Sequence, residues 1–184
     1  MAATIIRPYA APDRDRIPAL ILPIQQVEFG IPVTAQDQPD LLTIDDYYQT
    51  GAGGFWVAER DDEIVGTIGL KDIARRNGAL RKMFVAAHAR GREHRVAVGL
   101  LEALVQHARL AGMQNIYLGT AREFLAAHRF YKKSGFREIS RMGLPVNFPV
   151  MMVDRKFFHL AVPQTATTAG AGGRGRVRGT PSPG

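Results

Sequence analysis

The sequence predicts a mixed α/β domain of the α+β type, in which a mostly antiparallel central sheet of about seven strands is flanked by about four helices. Three consecutive strand patterns separated by short turns indicate an antiparallel meander. A long amphipathic helix and a further strand follow the third of these strands, which is the pattern of a βα unit. A meander and a βα unit in one chain together predict a mixed sheet.

The first half of the chain is predicted to hold a strand, two helices and the meander. Thr4–Arg7 alternates weakly and is followed by a proline, which suits a short strand. Arg14–Glu28 has apolar residues at helical spacing, but Pro23 lies inside it, so we expect a kink or a split into two helices. Gln38–Gln49 predicts a second short helix. The meander strands are Phe55–Glu59, Glu63–Leu70 and Ala79–Val85.

The second half begins with the clearest helix of the sequence. Its apolar stripe consists of Ala97, Leu100, Leu101, Leu104, Val105 and Ala108. Gly112 is placed as its C-terminal cap. The elements predicted after it are the strand Asn115–Gly119, the helix Glu123–Lys133 and the strands Phe136–Ile139 and Val150–Leu160.

Composition is that of a soluble globular protein, with 46% hydrophobic and 22% charged residues. We predict one folded domain over residues 1–162 and a disordered Gly- and Arg-rich tail over 163–184, because the tail has almost no large apolar residues to bury. No secretory signal or membrane-spanning run is visible, so a cytoplasmic location is expected. The absence of cysteine excludes a thiol acyl-enzyme and cysteine-ligated metal within this sequence.

A turn rich in arginine links the third meander strand to the long helix. It runs from Arg90 through Gly91, Arg92, Glu93 and His94 to Arg95. A helix start has free backbone N–H groups and the positive end of the helix dipole, so basic residues there favour an anion such as phosphate. A solvated loop is the alternative interpretation. No P-loop or dinucleotide-binding fingerprint is present in the chain.

Two segments, MFVAAHARGREHRVAVGLLEAL and AAHRFYKKSGFREI, resemble motifs A and B of the GNAT superfamily of acyl-CoA-dependent N-acyltransferases. The resemblance covers roughly Ile5 to Leu160. Motif A cradles the coenzyme A pyrophosphate through R/Q-x-x-G-x-G/A, and Arg92 is the better start for it here. That register puts Arg95 where the family has glycine, and an L-residue forced to positive φ there would cost on the order of 1 kcal/mol.

The resemblance implies the site residues. The strand before the turn should diverge from Asn115–Gly119 and pair its backbone with the pantetheine arm, and one of its N–H groups should polarise the thioester carbonyl. The implied acetyl-CoA contacts are Met83, Phe84, Val85, Arg90, Gly91, Arg92, Glu93, His94, Arg95, Val96 and Ala97. Tyr131 is the implied proton donor to the departing thiolate, although packing alone is the alternative role for a tyrosine there.

The motifs leave two roles undecided: the polar coenzyme contact of motif B and the general base. Phe124 stands where motif B normally has asparagine, so a polar coenzyme contact is lost or replaced. Asp72, His94 and His128 are candidates for the general base by residue type only, and none is assigned.

The predicted function is an N-acetyltransferase that uses acetyl-CoA and a small-molecule or peptide amine, without a metal. A non-catalytic acyl-CoA-binding or regulatory module is the alternative. Nucleic-acid binding ranks low because no fold motif supports it. No membrane association is expected, and a homodimer is a further expectation.

Overall fold

The computed structural model describes residues 3–164, and the fold within them is one seven-stranded sheet with helices on both faces. The strands are β1 (Ile5–Pro8), β2 (Gly54–Arg60), β3 (Glu63–Asp72), β4 (Asn77–Val85), β5 (Asn115–Thr120), β6 (Arg137–Ile139) and β7 (Lys156–Ala161). The helices are α1 (Arg16–Pro23), α2 (Pro39–Leu42), α3 (Ile44–Tyr48), α4 (Val96–Leu110) and α5 (Leu125–Lys133). The predicted fold class and strand number are confirmed.

The strand order across the sheet is β1-β2-β3-β4-β5-β7-β6. Every neighbouring pair is antiparallel except β4 and β5, which are parallel because α4 carries the chain back between them. That parallel pairing covers only Asn77–Ala79 against Asn115–Tyr117. Beyond it the two strands no longer pair, so the sheet is split at its centre.

Each face of β2 supports a different layer, which explains why this strand is apolar from Phe55 to Ala58. Trp56 belongs to the core built around α4, whereas Phe55 belongs to the core built with α1, α2 and α3. The predicted stripe of α4 is confirmed, and its fully buried members are Leu100, Leu104 and Ala108. Helices thus pack against both faces of the sheet and support β4 and β5 where these two strands diverge at its centre.

The structure confirms one expected helix break and corrects several predicted boundaries. The predicted helix over 14–28 splits as expected: α1 ends at Pro23, which lacks the N–H of a continuing helix, and a π-helical turn follows over Ile24–Glu28. The predicted helix over 38–49 is two helices, so the part of the chain that the structure describes has five α-helices rather than about four. The helix predicted from Glu123 begins at Leu125.

The last strand differs most from its prediction, since it begins at Lys156 instead of Val150. Asp154 explains the difference. Its carboxylate Oδ2 accepts a hydrogen bond of 2.8 Å from the Met151 backbone N–H, and its own N–H donates to the Met151 carbonyl at 3.0 Å. These bonds close a turn, because a side chain that satisfies nearby backbone groups competes with strand pairing. The predicted tail lies almost wholly outside the described residues.

Candidate active site

A cavity of about 480 Å³ lies where β4 and β5 diverge. Met83, Phe84 and Val85 line one wall, and Gly119 and Thr120 line the other. Because strand pairing stops at Ala79 opposite Tyr117, the facing backbone edges downstream have no strand partner. The wall formed by β4 therefore offers main-chain donors and acceptors to an extended ligand, as the resemblance implied.

A β-bulge shapes the wall formed by β4. Thr67 pairs with Phe84 and Gly69 pairs with Arg81, so Lys82 and Met83 together oppose a single residue of β3. Lys82 has a positive φ of 52°, and its carbonyl accepts a hydrogen bond of 2.7 Å from Thr67 Oγ1. Such a bulge re-aims side chains and backbone groups, which is a common feature next to active sites.

The N-terminus of α4 reaches the cavity through Ala97. The first N–H groups of the helix have no acceptor inside the helix, so they remain available to an anion. Arg90 also lines the cavity, where its guanidinium forms an ion pair with Glu28 and donates from Nε to the Val85 carbonyl at 2.8 Å. Among the predicted coenzyme contacts, Met83, Phe84, Val85, Arg90 and Ala97 line the cavity. The remaining six lie in the adjoining turn or, like Val96, in the core.

Arg95, at the position where the family motif has glycine, has a left-handed backbone conformation with φ 52° and ψ 16°. Its side chain turns away along α4, and Nη2 lies 3.5 Å from Glu102 Oε1 with both side chains about two-thirds exposed. The guanidinium therefore does not enter the cavity. The positive φ at Arg95 costs about 1 kcal/mol compared with a glycine at the same position.

Tyr131 lies on α5 at the other side of the cavity and is 5% exposed. Its ring packs against Phe136 and Phe158, with centroid distances of 5.6 and 5.9 Å. Within the described residues its hydroxyl has no hydrogen-bond partner, and burial raises its pKa well above the ordinary value for tyrosine. The phenol therefore keeps its proton at neutral pH and could donate it to a strong base.

Lys82 is a buried cavity residue that sequence analysis did not identify. Its Nζ donates to Gln38 Oε1 at 2.6 Å and lies 3.3 Å from Asp40 Oδ1. Asp40 in turn accepts a hydrogen bond of 2.5 Å from the Tyr48 hydroxyl. Burial lowers the pKa of Lys82 to about 8, despite the neighbouring carboxylate. The only hint in the sequence is a pair of adjacent basic residues inside an otherwise apolar strand.

The three base candidates chosen by residue type have structural contacts instead. Asp72 accepts hydrogen bonds from the backbone of Ala52 and Ala74, and His128 Nε2 lies 2.9 Å from the Ala121 carbonyl. His94 lies beside Arg60, 3.4 Å from its Nη1. None of the three lines the cavity.

Phe124 does line the cavity, with its ring centroid 4.7 Å from that of Phe29 and 6.0 Å from that of Phe84. The position where the family has an asparagine is therefore filled here by an aromatic cluster.

Residues 20–136 match the acetyltransferase (GNAT) family. The chain belongs to this family. A solved GNAT acetyltransferase from Staphylococcus aureus Mu50 is 36% identical, with a TM-score of 0.84 over 88% of this chain and 100% of that one. The N-acetylaspartate synthetase of Danio rerio is 32% identical over 102 residues, which are 54% of this chain and 36% of that relative. The chain thus spans about a third of the length of this curated relative.

A GNAT fold also occurs in the PaiA N-acetyltransferase of Thermoplasma acidophilum, whose structure is a complex with coenzyme A. It is 15% identical, with a TM-score of 0.64 over 86% of this chain and 99% of that one, so the likeness concerns the fold alone. Within residues 3–164, no group of three or more His, Asp or Glu side chains could hold a metal ion. No helix in the described part of the chain has the length and apolarity to cross a bilayer.

Proposed function

We propose that the protein transfers an acetyl group from acetyl-CoA to a primary amine by direct attack within a ternary complex. The observation that carries this proposal is the cavity between the diverging ends of β4 and β5, with the start of α4 at its edge. An extended acyl-thioester arm fits between two strand edges, and a pyrophosphate fits the N-terminus of a helix. Membership of an acetyltransferase family supports the same reaction.

In the proposed complex, the backbone of Met83, Phe84 and Val85 pairs with the pantetheine arm. One N–H of this wall polarises the thioester carbonyl, so that negative charge developing on its oxygen is stabilised. The turn over residues 90–97 holds the pyrophosphate mainly through backbone N–H groups, because Arg90 is engaged by Glu28 and Arg95 points away. Arg92, exposed in the same turn, adds positive charge near the phosphates.

The bond changes follow from this placement. The neutral amine attacks the thioester carbon, the new C–N bond forms, and the C–S bond breaks. Tyr131 gives its proton to the departing thiolate and regains one from the nitrogen or from solvent. Burial raises the pKa of Tyr131, so the phenol is protonated at neutral pH and its hydroxyl is available as a donor to the sulfur.

The test is Tyr131→Phe, assayed by release of the coenzyme A thiol from acetyl-CoA over a broad panel of amines. We expect kcat to fall by about 100-fold or more, because general-acid catalysis typically contributes that much. Tyr117→Phe is the matched control, since Tyr117 stacks on His159 and lies outside the cavity lining. Undiminished turnover in Tyr131→Phe would contradict the proton-donor assignment.

A non-catalytic acyl-CoA-binding module is the second candidate, and the aromatic cluster around Phe124 favours it. Thermal stabilisation by acetyl-CoA without thiol release for any amine would support this candidate over the enzyme. The cytoplasmic location and the homodimer stay predictions.

A further inference from the structure

Arg81 is a buried cation at the cavity for which the described residues supply no anion. It is 8% exposed and lines the cavity. Its Nη1 donates to the Pro149 carbonyl at 2.8 Å, and its Nη2 contacts the Met151 sulfur. Within residues 3–164 no carboxylate lies within 4.0 Å of its guanidinium, whereas neighbouring Lys82 has Asp40. Burying a charge is costly unless a counter-charge accompanies it, so the position suits an anionic ligand group.

Asp154 is a buried anion at the same cavity, and it too lacks an ion-pair partner among the described residues. It is 9% exposed, and its only described side-chain bond is the one that Oδ2 accepts from the Met151 N–H at 2.8 Å. The carboxylate lies directly over Gly119, since a Cβ built there would be 2.5 Å from Oδ2. It therefore stands beside the diverging end of β5, where the thioester is expected.

Met151 contacts both of these charged residues. Its backbone N–H holds Asp154, while its side chain touches Arg81. Arg81 reaches the cavity from β4, and Asp154 reaches it from the turn before β7. The cavity wall thus presents a positive and a negative group that do not pair with each other. A zwitterion would satisfy both at once.

We propose that the acceptor is a free amino acid, whose carboxylate binds Arg81 and whose amino group binds Asp154. This inference rests on the proposed acetyltransferase function and specifies its substrate class. Asp154 takes one proton from the entering ammonium, and the neutral nitrogen then attacks the thioester carbon. As the C–S bond breaks, Tyr131 gives its proton to the thiolate and takes the second proton from the attacking nitrogen, while Asp154 releases its proton to solvent. The products are an N-acetylated amino acid and coenzyme A.

The surroundings of Asp154 fit a proton acceptor. Burial raises its pKa, while the positive charges of Arg81, Lys82 and Arg155 act in the opposite direction. A carboxylate with a raised pKa is a stronger base than one in water, which suits a group that accepts a proton. Among the described cations that line the cavity, Lys82 is held by Asp40 and Gln38, and Arg90 is held by Glu28. Arg81 is therefore the described cation that remains for the carboxylate of the ligand.

Wild-type protein tests the substrate class without any substitution. Thiol release from acetyl-CoA is measured with each common amino acid and with its α-carboxamide, alongside simple alkylamines. The amino group of the amide is less basic, so a larger fraction of it is neutral near pH 7. Amine reactivity alone therefore predicts faster acetylation of the amide than of the acid. We expect instead that kcat/KM for the best amino acid exceeds that for its amide by about 100-fold, because the amide leaves Arg81 unpaired.

Two variants test the residues. Arg81→Met should remove most of the preference for the acid over the amide, whereas Arg129→Met, at an exposed position of α5 outside the cavity lining, should retain it. Asp154→Asn can keep the bond from Met151. It should lower kcat/KM for amino acids and move the acid-side loss of activity to higher pH, towards the pKa of the substrate ammonium, because no side chain at this position then accepts its proton.

The outcomes separate the two proposals. If amides and alkylamines are acetylated as well as amino acids, the carboxylate inference is wrong and the acetyltransferase function stands. If no amine of any class releases thiol, the proposed function fails and the inference falls with it. If Arg81→Met lowers turnover of acids and amides equally, Arg81 has only a structural role.

Discussion

Replacing Lys82 with methionine is expected to flatten the dependence of the free energy of unfolding on pH. Burial lowers the pKa of Lys82 from 10.5 to about 8 in the folded protein. The unfolded chain therefore holds this proton more tightly than the native state does, and the charged lysine destabilises the fold below pH 8. This cost disappears as the pH rises towards the ordinary lysine value, so this group makes stability increase with pH in that window.

The magnitude follows from the shift. At 1.36 kcal/mol per pKa unit, the full cost below pH 8 is about 3 kcal/mol, and between about pH 7.5 and about pH 9.5 roughly 2 kcal/mol of it is relieved. Over this pH interval the free energy of unfolding of the wild type should increase by that amount relative to that of Lys82→Met. Buried tyrosines such as Tyr48, whose pKa is raised, act in the opposite direction at higher pH but do so equally in both proteins.

The assay is urea denaturation of both proteins at the two pH values, with the m-value checked for constancy. Lys133→Met, which removes an exposed lysine of α5, is the matched control and should follow the wild type. A wild type and a Lys82→Met variant whose stabilities change in parallel between the two pH values would refute the argument. Lys82 would then be solvated well enough to keep an ordinary pKa.

Three further predictions concern the core, the turn and the cavity. Leu104→Ala should lower the free energy of unfolding by about 2–5 kcal/mol in urea denaturation, because Leu104 is fully buried. Leu110→Ala is the control, and it should change that free energy by less than about 0.5 kcal/mol because Leu110 is 76% exposed. Arg95→Gly should alter the Kd for coenzyme A by less than about threefold in calorimetry, since its side chain points away from the cavity; a loss of about tenfold or more would show a phosphate contact. Gly119→Ala should lower kcat/KM by about 100-fold, because the new Cβ displaces the Asp154 carboxylate 2.5 Å away; an unaltered value would remove Asp154 from the reaction.

Local patterns predicted much of the fold. The stripe of α4 lies where helical periodicity placed it, and β4 lies close to its predicted bounds. An element that packs against a neighbouring layer repeats its apolar residues at the period of its own backbone, so the sequence shows where it lies. The family motif has glycine at the position of Arg95, and the structure shows a positive φ there. The strand predicted from Val150 was wrong because Asp154 closes a turn there, and apolar density alone cannot reveal a hydrogen bond from a side chain to the backbone.

The sequence by itself determined the class of the domain and the strand and helix that flank the arginine turn. It also carried the family resemblance from which the roles proposed for Tyr131 and for the coenzyme contacts come. These depend on residues close together in the chain, where spacing and residue type are sufficient. Only the tertiary structure decided that β4 and β5 part after Ala79, that a bulge forms at Lys82, and that Arg81 and Asp154 meet the same cavity without pairing. Each of these depends on contacts between segments far apart in sequence, and no local pattern specifies which distant side chain fills a given position.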